Sequence, residues 1–157
     1  MSIEPQWCWN PETPFTKQFP VELKQDMMIV MCGKVPSDAK SFVINFQKGE
    51  GANVKIPFQL GVCFQENSEK FMFSSKESAD WEPMQDRPIS PSIKGTNFKL
   101  TFLVWSNCFQ VALNAKHILK YNHNERDWKA DGINVYGDLQ VKDFTVYDID
   151  CKKKVNK

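Results

Sequence analysis

Along most of the chain, apolar side chains recur at every second position. Phe42, Ile44 and Phe46 alternate with Val43, Asn45 and Gln47. Ile56, Phe58, Leu60, Val62 and Phe64 alternate with Pro57, Gln59, Gly61 and Cys63, and Phe98, Leu100, Phe102 and Val104 with Lys99, Thr101 and Leu103. Phe109, Val111 and Leu113 follow, then Ile133 and Val135, then Leu139 and Val141. A period of two predicts strands with one face on a core and the other in water. Helical spacing is nowhere sustained for three turns. Between the runs lie Pro36-Ser37-Asp38, Lys48-Gly49-Glu50-Gly51, Gln65-Glu66-Asn67-Ser68, Lys94-Gly95-Thr96-Asn97, Asp131-Gly132 and Gly137-Asp138, all turn signals. About ten short strands punctuated in this way predict an all-β, antiparallel sandwich or barrel. Residues 1–14, rich in Pro and Trp, read as an arm, residues 15–150 as the single domain, and 151–157 as a basic, solvated tail.

Composition narrows the classes. A chain of 157 residues supports one domain, and its twelve Phe and five Trp supply a core large enough to offset ordering entropy. Twenty basic against nineteen acidic side chains leave +1, which gives no broad attraction for nucleic acid or an anionic membrane. No run approaches the ~20 apolar residues of a membrane span, so membrane insertion is not expected. Met1–Pro5 has no basic segment followed by an apolar run, so a secretory signal is not expected either. The five cysteines (Cys8, Cys32, Cys63, Cys108, Cys151) are widely spaced without C-x-x-C and read as free thiols of a reducing compartment.

Catalytic and metal signatures are missing. His117 and His123 are the two histidines, and nothing resembles a zinc pattern, a phosphate-cradling Gly-rich loop, a G-x-S-x-G elbow or an acidic calcium loop. Nothing selects a glycosidase pair from the carboxylates. The expectation is a non-enzyme without cofactor or metal.

Taken in order, the strand motifs resemble the galectin family of β-galactoside-binding lectins. Gly33-Lys34 leads into Phe42-Val43-Ile44-Asn45-Phe46, similar to the family's G-K … F-x-I-N-F. Ser75-Lys76-Glu77 followed by Trp81 resembles N-S-K … W, and Gly95, Phe98, Leu100 and Phe102 resemble G-x-x-F-x-L-x-F. Phe109–Asn114 resembles F-x-V-x-V-N, Tyr121-Asn122-His123 resembles Y/F-x-H, and Ile133–Leu139 resembles I-x-I-x-G-D-L/V. Pro36-x-Asp38-Ala39-Lys40 is similar to nematode members. The resemblance covers roughly residues 15 to 149. It implies a jelly-roll sandwich of two antiparallel sheets with a sugar groove across the concave one. It also implies glycans or glycoproteins as partners, pairing of two copies through edge strands, and a cytoplasmic location with export that needs no signal peptide.

Such a groove stacks the C–H face of galactose on an indole and meets its hydroxyls with donors and acceptors on neighbouring strands. The family reads the axial hydroxyl with a His, an Asn and an Arg alternating along one strand, since every second side chain faces the groove. The matching strand here departs from that pattern. One register places the three on Cys63, Gln65 and Asn67, the other on Gln59, Gly61 and Cys63, and neither holds a His or an Arg. The Asn before the S-K pair is Ser74. Trp81 is kept, whereas Trp81-Glu82-Pro83-Met84-Gln85-Asp86-Arg87 replaces W-G-x-E-x-R. A one-residue insertion brings Gln85 and Arg87 to the Glu and Arg places; without it they are Met84 and Asp86. The expected site is therefore Trp81 as the stacking platform with Arg87, Gln59, Ser74, Cys63, Gln65, Asn67 and Gln85 around it. Simple lactose binding should be weak or lost. The rival expectation is a galectin-type sandwich repurposed to bind protein, with Cys63, Met84 and Gly61 in its groove.

Overall fold

The structure, a computed structural model, describes residues 5–9, 12–19, 22–49, 51–65, 68–77, 80–124 and 128–148, with 5–9 as backbone only. Thirteen strands form among them: β1 (Pro5–Trp9), β2 (Phe15–Gln18), β3 (Met27–Lys34), β4 (Ser41–Lys48), β5 (Lys55–Gln65), β6 (Ser68–Glu77), β7 (Asp80–Trp81), β8 (Gln85–Pro88), β9 (Asn97–Val104), β10 (Cys108–Leu113), β11 (Lys116–Asn122), β12 (Gly132–Gly137) and β13 (Gln140–Asp148). They make two antiparallel sheets. One runs β1-β13-β3-β9-β10-β11; the other runs β2-β12-β4-β5-β6-β7, with β8 also pairing β6. This is the all-β antiparallel sandwich expected from the alternation, in the jelly-roll form that the family resemblance implied.

The count exceeds ten for a physical reason. β7 and β8 are exposed along their whole length, so no apolar alternation betrays them. β1, inside the Pro- and Trp-rich N-terminal segment, is an edge strand on β13. The tail 151–157 lies outside the described residues.

The alternating apolar sets meet between the sheets. Phe42, Ile44, Phe46, Phe58, Leu60 and Val62 are almost fully buried against Phe98, Leu100, Phe102, Phe109 and Val111 of the opposite layer. Phe46 meets Phe102 edge-on at 4.9 Å between centroids, and Phe58 stacks on Phe109 at 5.1 Å, both favoured aromatic geometries. Two polar clusters pin this core. Ser75 Oγ and Tyr121 OH lie 2.6 Å apart, joining β6 of one sheet to β11 of the other, and Asn124 Nδ2 donates to Tyr121 OH at 2.6 Å. The His123 ring stacks on Trp128 at 4.0 Å and donates through Nε2 to the Trp105 carbonyl at 2.9 Å.

The G-D motif is a strand-end clasp. Gly137 adopts φ 108°, and a Cβ there would come within 2.6 Å of Phe42 Cα and the Ser41 carbonyl, so only glycine fits. Asp138 Oδ2 then accepts from the amides of Lys40 and Ser41 at 2.8 and 3.3 Å. Those amides hold its carboxyl below the usual carboxylate range.

Candidate functional site

The outer face of the seven-stranded sheet is set by parity. On β5 the apolar set Phe58, Leu60, Val62 and Phe64 points inward, so Gln59, Gly61, Cys63 and Gln65 point outward. Pro57 sits where the β5–β6 register shifts, between Ile56 and Gln59, a place where a proline inside a strand is tolerated. Residues directly opposite in an antiparallel ladder share a face, and this extends the outer surface across the sheet.

One outward rung reads Thr16, Asn134, Asn45, Gln59, Ser74 from β2 to β6. It is hydrogen-bonded nearly end to end. Gln59 Nε2 donates to Asn45 Oδ1 at 2.8 Å, Asn45 Nδ2 to Asn134 Oδ1 at 3.1 Å, and Asn134 Nδ2 to Thr16 Oγ1 at 3.0 Å. These bonds orient every amide along the row and leave half-exposed Gln59 and Asn134 with spare donor and acceptor positions toward water.

The neighbouring rung is apolar: Tyr136, Val43, Gly61 and Met72, ending at Asp86 on β8. At Gly61 an added Cβ would find only the Met72 carbonyl, at 3.6 Å, so the surface dips there. Half-buried Cys63 places Sγ 3.7 Å from Met72 Sδ and completes a soft, uncharged floor. Cys63, Cys32 and Cys108 are free thiols, and burial pushes the Cys108 thiol up against the opposing influence of Lys120.

Trp81 is paired with Lys76 on β6 and 45% exposed, an unusual state for an indole. Lys76 Nζ stands 5.9 Å from the ring centroid, a cation–π approach. The segment after Trp81 is fastened to β6. Ser74 Oγ donates to the Glu82 carbonyl at 2.7 Å, and the Glu82 amide donates to the Ser75 carbonyl at 2.9 Å. Ser74 is fully buried, so its hydroxyl holds the Trp81 platform in place rather than facing water.

Pairing with β6 fixes which β8 side chains face outward. Met72 is opposite Asp86, whereas Phe71 is opposite Arg87 and Phe73 opposite Gln85. Phe71 and Phe73 face the core, so Arg87 and Gln85 lie on the inward face and Asp86 on the outward one. The Arg87 guanidinium stands 5.4 Å over the Phe73 ring and donates through Nη1 to the Asp86 carbonyl at 2.7 Å. On the outer side, Asp86 approaches Lys70 at 3.8 Å, an exposed pair worth under about 1 kcal/mol.

The structure thus brings Trp81, Gln59, Cys63 and, at the hairpin end, exposed Gln65 onto one surface, and it does not bring Arg87 or Gln85 there. Asn67 lies outside the described residues. Sequence reasoning missed Asn45 and Asn134 as site residues. The signal was present: each is the polar member of an alternating run, between Ile44 and Phe46 and between Ile133 and Val135. Among the described residues no three His, Cys, Asp or Glu side chains converge on a metal position, and no helix is long and apolar enough to cross a membrane.

Comparison with known proteins places this geometry. Rat Galectin-8 is 29% identical over 135 residues, 85% of this chain and 42% of that protein. Bovine Galectin-4 is 26% identical over 137 residues, covering 87% and 41%, and mouse Galectin-3 is 26% identical over 130 residues, covering 82% and 48%. The chain therefore spans less than half the length of these curated relatives. Sheep Galectin-11, solved in complex with glycerol, superposes with a TM-score of 0.75 at 22% identity over 85% of this chain and 96% of its own, which establishes a shared fold. The family model described as galactoside-binding lectin matches residues 14–146. The chain belongs to the galactoside-binding lectins, the galectins.

Proposed function

We propose that this galectin binds glycans across the outer face of its seven-stranded sheet with altered specificity, and that lactose and simple β-galactosides bind weakly or not at all. Galectins are non-catalytic, and this chain is not an enzyme. One observation carries the reading: an exposed, anchored Trp81 shares a surface with an oriented row of amides, while neither register of the β5 strand, Gln59, Gly61 and Cys63 or Cys63, Gln65 and Asn67, supplies the family's His or Arg. Stacking on an indole needs only an apolar sugar face. Discrimination of an axial hydroxyl needs the three donors and acceptors that are replaced here. Each exposed hydrogen bond is worth a net ~0.5–1.5 kcal/mol, so losing three or four removes several kcal/mol that a disaccharide cannot recover. A longer glycan can, because the face extends four strands from Trp81 to exposed Tyr136 on β12, about 19 Å at the usual strand spacing.

A glycan array run with the full chain and with Trp81→Ala tests this. The expected result is a set of hits among oligosaccharides longer than lactose, all lost in the variant. A silent array beside a specific protein pull-down supports the second reading, a galectin fold turned to protein binding. That reading is favoured by Met84, three positions after Trp81 and 50% exposed, since an apolar thioether suits a protein partner better than a sugar. By family resemblance, the proposal extends to a homodimer joined through edge strands and to a cytoplasmic protein exported without a signal peptide. A monomer mass by light scattering across a wide concentration range would remove the dimer.

A further inference from the structure

We propose that the seam between the two sheets beside Arg87 is a second binding site, separate from the outer face, for an amphiphile with an apolar body and a single carboxylate head. At this edge of the sandwich β8 of one sheet approaches the β10–β11 hairpin of the other, and the gap between them is a cleft of ≈ 520 Å³. That volume is in the range of small-molecule sites. Its apolar walls are Phe71, Ile89, Ile93, Leu113 and Ile118. Leu113 and Ile118 are only partly buried, although they pack against the core, so the cleft leaves apolar surface for a ligand to cover.

The charge on the lining has one sign. Arg87 and Lys116 are the charged side chains on it, and no Asp or Glu lines the cleft. Neither has a carboxylate partner among the described residues; Arg87 bonds only the Asp86 carbonyl, which leaves the rest of its donor fork free. A guanidinium fork matches a carboxylate in two parallel hydrogen bonds. Cations held against a low-dielectric wall attract an anion more strongly than the same cations in open water. The glycans proposed for the outer face do not pair an apolar tail for this cleft with an anion for its rim. An unbranched carboxylate of medium length has both, with its head at Arg87 and Lys116 and its chain between the sheets.

Sodium decanoate, kept below its micellar concentration, is the probe, titrated into the full chain and followed by amide shifts in two-dimensional NMR. The expected result is saturable one-to-one binding, with shifts centred on Ile89, Leu113 and Ile118 and not on β5. Decylammonium, with the same chain and the opposite head, should not saturate. The pair Arg87→Gln and Lys116→Glu, both on exposed side chains, should weaken decanoate at least 10-fold while the spectrum stays folded. Unsaturable binding, shifts centred on β5, equal affinity for decylammonium, or undiminished affinity in the double variant would each overturn the proposal.

Discussion

Gln59 and Asn45 occupy one rung of the β4–β5 ladder, and the Gln59 side-chain amide donates to Asn45 Oδ1 at 2.8 Å. Asn45 is 5% exposed and passes its own N–H on to Asn134, so it is held from both sides. Replacing it by alanine strands a donor on Gln59 and an acceptor on Asn134. Asn45→Ala should therefore cost about 1–3 kcal/mol, and Gln59→Ala less, because Gln59 is half-exposed. In urea unfolding the double variant should lose less than the sum of the singles, as coupled neighbours do. Strict additivity would show that the row is not a coupled unit.

Trp81 and Arg87, only six positions apart, should behave oppositely. Trp81→Ala removes an exposed side chain, so its melting temperature should barely move while binding of any array-identified glycan falls at least tenfold. Arg87→Ala should leave that affinity unchanged, since its ladder partner Phe71 faces the core. Parallel titrations of the two variants decide it. Equal loss in both would return Arg87 to the sugar site.

Acid should weaken the fold through His123. Burial against Trp128 and Phe109 pushes its imidazole below the ordinary value, with the bond to the Trp105 carbonyl opposing. The unfolded chain then binds a proton more readily than the folded one. Stability contributed by the neutral ring is present above the ordinary histidine pKa of ~6.5 and declines as pH falls through it. Asp138, whose carboxyl is also held low, loses its contribution only at more acidic pH, around and below the ordinary carboxylate range. Thermal melts at intervals between neutral and mildly acidic pH should show a decline that His123→Gln flattens. A wild-type curve flat across that window would contradict the account.

Tyr121→Phe should unpin the two sheets. It takes the 2.6 Å partner from buried Ser75 Oγ, leaving that oxygen the Asn124 Nδ2 bond at 3.3 Å, and removes one acceptor from Asn124. A loss of about 1–3 kcal/mol is expected, read as a lower urea midpoint. Tyr121→Phe combined with Ser75→Ala should cost less than the sum of the two single variants, because both remove the same Ser75–Tyr121 bond.

The fold was legible because the two faces of its long strands differ so sharply. The alternation through Phe42–Phe46, Ile56–Phe64 and Phe98–Val104 named the buried side chains, and the same parity put Gln59 and Cys63 on the outer face. Where a strand has no buried face, that signal vanishes. β8 is exposed at every position, so nothing in its sequence told whether Asp86 or Arg87 looks outward; the register is set by pairing with β6. Ser74 was legible as an outward residue but not as a buried one, because its burial comes from the Glu82 segment folding back over it.

The central claim is that the galactose-reading set has been replaced while the stacking platform remains. Lactose titrated into the full chain, followed by intrinsic tryptophan fluorescence beside Trp81→Ala, tests it most directly. The account predicts no saturable change in either protein into the tens of millimolar. A response that saturates well below that range and disappears in Trp81→Ala would mean that the altered β5 strand still permits selective galactoside binding, and would contradict it.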